Sequence, residues 1–349
     1  MTTVRGGFYS EVAGLNFPPS SIDTTLYTHV YYASVVPHSA DFTLNISQST
    51  ANGYQEFNST LHEKSPPAQT LLSIGGDRSD SGVFATMVSQ QASRKRFIDS
   101  SILVARNNNF DGLDLDWRHP RVQREMDNLG VLLREWRDAI NVEARLSGRS
   151  PLLLTATCYF AADVQVDAAR RYPIASLNEN VEWVNATCLD FHGSWNTRAT
   201  GSPAALYDPN RTWSASFGLY SWMNAGLLSS KLNMGMPLYG RTWTLRDGNS
   251  TGIGAQAVGV GPGENGVMSI PEIDNFNQQN RSTIAYDRAT VSTYAHSGRS
   301  WIGYDSILSA NEKIRYARGL RIRGYFFWYI QQDPQNKIPS QAALTWDSF

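Results

Sequence analysis

Eight short runs of apolar and β-branched residues, each bounded by Gly, Pro, Asn or Asp, are separated along this chain by stretches of helical period. They are Val4 to Tyr9, His29 to Val35, Thr70 to Ile74, Gly112 to Trp117, Leu152 to Cys158, Val181 to Phe191, Leu232 to Leu238 and Gly324 to Ile330. Strand alternating with helix is the pattern of βα units around a parallel sheet. Eight units in 349 residues predict an α/β fold, a (β/α)8 TIM barrel. Phe84 to Ala105 reads as one helix. Another starts near Glu125, where Met126, Leu129, Leu133, Trp136 and Ile140 recur at steps of three and four before Gly148 stops it. A third is expected over Asn311 to Arg318, started by Ser309 and Ala310. The residues between the seventh and eighth runs are rich in Gly, Asn and Ser and fit no simple crossover. They read as a small α+β insertion domain, 239–301, at the carboxyl end of a barrel formed by 1–238 and 302–349.

Composition excludes several function classes. A hydrophobic share of 41% with 17% charged residues supports a large core, which rules out a disordered or fibrous chain. Acids and bases balance at 31 against 30, so no global field draws the protein to nucleic acid or anionic lipid, and neither is expected as a partner. No stretch reaches the roughly 18 unbroken apolar residues of a membrane span, and the segment from Met1 to Phe17 does not read as a signal peptide. Cys158 and Cys188, both in strand-like runs, read as buried hydrophobes, and no spacing suggests a metal or a cofactor. Six Asn-X-Ser/Thr sequons, at Asn45, Asn58, Asn185, Asn210, Asn249 and Asn280, favour a secretory-pathway glycoprotein, extracellular or vacuolar, with its signal already removed. Asn185 is the exception, because it lies inside an apolar run that no glycan would reach.

The segment Asp111-Gly-Leu-Asp-Leu-Asp-Trp-Arg118 carries the chemistry. On a strand, alternate side chains share a face, so Asp114, Asp116 and Arg118 line one side while Leu113, Leu115 and Trp117 line the other. By the same alternation His119 faces away from the barrel interior. Buried acids on a doubly covered strand are costly unless they serve a site.

That octapeptide resembles the Asp-Gly-X-Asp-X-Asp-X-Glu motif of family 18 glycoside hydrolases, specifically the plant class V chitinases. Ser73-Ile-Gly-Gly76, Tyr239-Gly-Arg241, Trp301-Ile-Gly-Tyr-Asp305 and Gly324-Tyr-Phe-Phe-Trp328 extend the likeness over essentially Val4 to Asp347. The resemblance implies a substrate-assisted mechanism, in which the motif Glu protonates the leaving oxygen while the preceding Asp and a Tyr hold the sugar's acetamido group. Here the Glu position is Arg118, a guanidinium that stays protonated and donates no proton, and the Tyr position is Leu189. Ser34, Phe8, Asp77 and Thr187 depart from the family pattern around the same site. The sequence therefore predicts no catalytic residue and no enzyme: a degenerate motif of Asp111, Asp114, Asp116 and Arg118, with Arg118 paired to the acids and filling the deep subsite.

The same resemblance places Trp195, Tyr239, Arg241, Trp243, Trp328 and Asp190 along a carbohydrate-binding cleft, since flat aromatic faces suit the CH faces of sugars. Trp117, Trp136, Trp183 and Trp346 are assigned to packing. The expected function is that of a lectin for N-glycans or other mannose- or N-acetylglucosamine-containing oligosaccharides, similar to the legume chitinase-related lectins, with glycans or glycoproteins as partners. Agglutination would need two sites per particle, from a homo-oligomer or a second site on one chain. The rival readings are a glycanase inhibitor, a storage protein, or a hydrolase of unusual glycans using another acid.

Overall fold

A computed structural model describes residues 3–10, 17–76, 79–165, 168–209 and 213–348. Asp77 and the sequon at Asn210 lie outside the described residues. Eight parallel strands close a barrel: β1 (Val4–Ser10), β2 (His29–Val35), β3 (Gln69–Gly75), β4 (Gly112–Asp116), β5 (Leu153–Tyr159), β6 (Val184–Thr187), β7 (Leu232–Pro237) and β8 (Gly324–Trp328). All eight coincide with the expected runs. The sixth is the exception in length, because Leu189 N closes a tight turn onto Thr187 O and Asp190 turns left-handed at φ 58°, ending the strand early. Its neighbour Asn185 is buried, as expected of a strand residue.

Around the barrel lie α1 (Gln48–His62), α2 (Ser81–Ser89), α3 (Gln91–Asn107), α4 (Gln123–Ser147), α5 (Ile174–Asn180), α6 (Ala215–Asn224), α7 (Ile270–Asn280), α8 (Ile307–Gly319) and α9 (Lys337–Asp347). On α4 the five expected apolar residues are all buried, and Gly148 ends the helix in the left-handed region at φ 70°. Burying each of those side chains stabilises the fold by about 1.5–3 kcal/mol. Two expectations need correction. The single helix over Phe84 to Ala105 is broken at Gln90, whose backbone is extended. Arg94 stabilises the break: its guanidinium donates to Val88 O at 2.8 Å, a carbonyl freed at the end of α2, and grips Glu135 of α4 at 2.7 Å and 2.8 Å. The helix expected from Asn311 starts a turn earlier, at a capping box of Ser306 and Ser309.

Between β7 and β8 the chain builds a six-stranded sheet of Tyr239–Leu245, Ala257–Val260, Val267–Ser269, Thr283–Asp287, Ser292–Ser297 and Ser300–Tyr304, with α7 packed on it. Its pairings are antiparallel throughout. Cys158 and Cys188 are free thiols, both buried. Among the described residues no helix is long and apolar enough to cross a membrane, and no cluster of His, Cys, Asp and Glu is placed to hold a metal.

Candidate carbohydrate site

Strand β4 delivers its acids to two different ends of the barrel. Asp111 precedes the strand and stays at the amino end, where its Oδ2 accepts from Thr70 N at 2.8 Å and meets His62 Nε2 at 2.8 Å. It is a structural tie of β3 and α1, away from the cavity at the carboxyl end. Asp114 and Asp116 point into the barrel, as alternation predicted, and both are buried. Asp114 accepts from Ser73 Oγ at 2.9 Å, from Thr155 Oγ1 at 2.6 Å and from Thr157 Oγ1 at 2.9 Å. Burial nevertheless dominates and pushes its carboxyl up from 3.8 to about 6, against the pull of those hydroxyls and of Arg118.

Asp116 lies one pleat nearer the mouth. Gly75, at φ 119°, lets the end of β3 close onto it: a Cβ there would meet Asp116 O at 2.2 Å. Arg118 Nε stands 2.8 Å from Asp116 Oδ1, and its guanidinium carbon lies 5.1 Å from the centre of the Trp328 ring. The guanidinium is held between carboxylate and indole, which satisfies its charge where little water reaches. Tyr172 donates its hydroxyl to Arg118 O at 2.9 Å and fixes the backbone beneath. The floor continues through Phe8, whose ring stacks on Tyr31 at 4.3 Å and touches Trp328 at 4.5 Å.

The opposite wall comes from the insertion sheet. Arg241 is gripped by both oxygens of Asp190 at 2.8 Å each, and Tyr239 donates to the same carboxylate at 2.8 Å. The guanidinium lies 5.0 Å from the centre of the Trp195 ring and 5.3 Å from that of Tyr239. Trp195 is 55% exposed and offers its ring to solvent. It folds back over Gly193, where a Cβ would come within 2.5 Å of the indole.

These groups enclose a cavity of about 280 Å³ bounded by Arg118, His119, Leu189, Asp190, Trp195 and Arg241, with the aromatic rings of Tyr159, Phe160, Phe191 and Trp213 beside them. Leu189, at the position where the resemblance expects a Tyr, presents an apolar side chain to it, and Thr187 turns its hydroxyl onto Cys158 O at 2.9 Å. Three expectations fail here. Trp243 is fully buried against Trp301 in the core of the insertion sheet, 5.3 Å between ring centres, and takes no part in the cleft surface. Its Nε1 instead donates to Asn196 O at 2.8 Å, tethering the loop that carries Trp195. His119 lines the cavity, because the strand ends at Asp116 and the alternation that turned His119 outward ends with it. Asn58, a predicted glycan acceptor, is buried on α1 and donates its amide to Asn108 O at 2.6 Å, out of reach of any glycan. Asn45, Asn249 and Asn280 are exposed.

Sequence reasoning missed Trp213, Tyr159, Phe160 and Phe191. Tyr159 ends β5, Phe160 follows it, and Phe191 lies four residues past the end of β6, all at the carboxyl end of the barrel where barrel sites are built, and that position was the available signal. Trp213 sits in a loop without period and carried none.

Buried Asp114 and Asp116 thus lie at the centre of the barrel, below a cavity with an aromatic rim. The family model for glycosyl hydrolases family 18 matches residues 5–333, and the chain belongs to that family. It is 43% identical to a class V chitinase of Medicago truncatula over 99% of this chain and 91% of that protein. A class V chitinase from Nicotiana tobaccum, solved as a mutant in complex with NAG4, superposes with a TM-score of 0.94 at 38% identity, covering 99% of each chain. A chitinase-like agglutinin from Robinia pseudoacacia superposes at 0.89 with 35% identity, covering 98% of this chain and 99% of that one. The expectation that the chain is not an enzyme is overturned by these findings, since relatives matched over its whole length are named chitinases. That expectation rested on treating residue 118 as the sole source of a proton, yet Asp114 and Asp116 are kept and His119 faces the same cavity.

Proposed function

We propose that this chain binds N-acetylglucosamine-containing oligosaccharides, including N-glycans, in the cleft between Arg118, braced from beneath by the buried Trp328, and the Trp195–Arg241 wall, in the manner of a lectin. The observation that carries the reading is the Asp116–Arg118–Trp328 stack. A guanidinium stands where the resemblance places a proton-donating Glu, held by an ion pair and a ring, and it shapes the deep end of a cleft whose outer wall offers an exposed indole. Likeness to a chitinase-like agglutinin supports it. The exposed sequons Asn45, Asn249 and Asn280 support a glycosylated, secreted form, which an endoglycosidase mass shift on the natural protein tests.

A glycan array followed by calorimetric titration with chito-oligosaccharides tests the binding reading. Trp195→Ala is expected to weaken binding by about tenfold to a hundredfold through the lost ring face, with unchanged thermal stability because the indole is half exposed. Absence of binding to every glycan on the array sinks the reading. Hydrolysis is the second reading, favoured by the chitinases to which the chain is similar. Its proton comes from a group other than Arg118, and His119 is the cavity-facing candidate. Mass spectrometry of chito-oligosaccharides incubated with the chain and with His119→Gln decides it: turnover by the first and not the second establishes the role.

A further inference from the structure

The sugar cleft has a neighbour that the family motifs do not touch. Beyond a ridge formed by Phe160, Trp213 and Phe217 lies a second cavity of about 580 Å³, twice the volume of the first. Phe160 packs against Trp213 at 5.6 Å and against Phe217 at 6.3 Å between ring centres. Phe160 and Trp213 face the first cavity and Phe217 the second, so the two basins share one wall.

Helix α6 explains the aromatic lining. Its buried stripe is Leu219 and Trp222, while Phe217 and Tyr220, three residues apart, occupy the opposite face and stay 44% and 48% exposed. Tyr207 joins them at 42%, braced edge-on by Tyr316 at 5.6 Å. Large rings left open to water on one surface mark a binding face. The polar groups lining it with them include the Asp163–Arg171 pair at 2.6 Å, Asp208, Asn224 and Ser216. Three flat rings, a mutually neutralised Asp163–Arg171 pair and the acceptor carboxylate of Asp208 fit the CH faces and hydroxyls of a neutral pyranose, and the volume is in the range of small-ligand sites.

We infer that this basin binds a second arm of the same branched oligosaccharide whose first arm occupies the cleft, the two arms straddling the Trp213 ridge. The inference rests on the reading of the cleft as a sugar site. Two weak sites bridged by one ligand raise affinity through effective concentration, with no new contact at either.

The experiment is calorimetric titration of the full chain with di-N-acetylchitobiose and with a biantennary N-glycan, alongside the Phe217→Ala/Tyr220→Ala double variant and, separately, Tyr207→Ala. The double variant is expected to lose about tenfold or more in affinity for the biantennary glycan while its affinity for chitobiose stays within about twofold. Tyr207→Ala, which leaves α6 intact, is expected to move in the same direction and guards against a folding defect in the double variant. Trp195→Ala should weaken both ligands. Undiminished binding of the biantennary glycan by both basin variants overturns the second basin and leaves the cleft reading standing. Failure of the unmodified chain to bind either ligand sinks the cleft reading and the basin with it.

Discussion

The two ends of β4 use acids in opposite ways. At the amino end, Asp111 is partly exposed and spends its contacts on architecture, holding the amide and hydroxyl of Thr70 and the last residue of α1. At the carboxyl end, Asp116 is sealed from water and confronts a guanidinium that also packs on the buried Trp328 indole and lines the cavity. Five residues of one strand thus separate a tie that stabilises from a pair that shapes a site. The comparison teaches that a motif quoted as a unit is physically two devices, and only its second half reaches the cavity at the carboxyl end.

Arg118→Met is expected to give the largest effect, because it leaves the Asp116 carboxylate buried without its cation. A stability loss of about 3–5 kcal/mol in urea titration is the expectation, along with altered sugar binding. A loss below about 1 kcal/mol would show that the pair is not the sealed unit described here. Asp111→Ala should cost about 1–3 kcal/mol through the orphaned Thr70 amide and His62, with glycan affinity unchanged. Altered sugar binding in that variant would erase the contrast between the two ends.

The smallest effects lie in pH dependence, and both ends contribute with the same sign. Asp114 titrates at about 6 in the folded chain against an ordinary 3.8, so its neutral form favours folding at low pH and that advantage is lost as pH rises toward 6. The hydrogen bond to Asp111 raises the pKa of His62 above its ordinary 6.5, so its stabilising contribution is complete below that value and is lost as pH climbs through the raised one. Denaturation at a series of pH values should show Asp114→Asn flattening the acidic part of the profile and His62→Gln the part above 6.5. A profile unchanged in both variants would remove these groups from the account.

The barrel was legible because its signals are local and repeated: eight apolar runs, and a helix such as α4 whose every third or fourth residue is large and apolar. The site was legible only as far as strand geometry lasts. Alternation put Asp114 and Asp116 inside and failed at His119, three residues past the last residue of β4. The resemblance marked Trp243 as cleft surface, but it is the Asn196 carbonyl that draws the indole nitrogen inward, a tertiary contact with a partner distant in the chain. Gln90 broke a helix for the same kind of reason, since the Arg94 side chain that accommodates the gap also answers to Glu135 on another element.

The bond from Trp243 to the loop of Trp195 has a longer reach. It means that one flank of the cleft is suspended from the insertion sheet, whereas the base is anchored in the barrel. Sequence drift within that sheet can therefore reshape the cleft wall while the folding of the eight-stranded frame goes on undisturbed, so the shape of the cleft and the scaffold are free to evolve at different speeds.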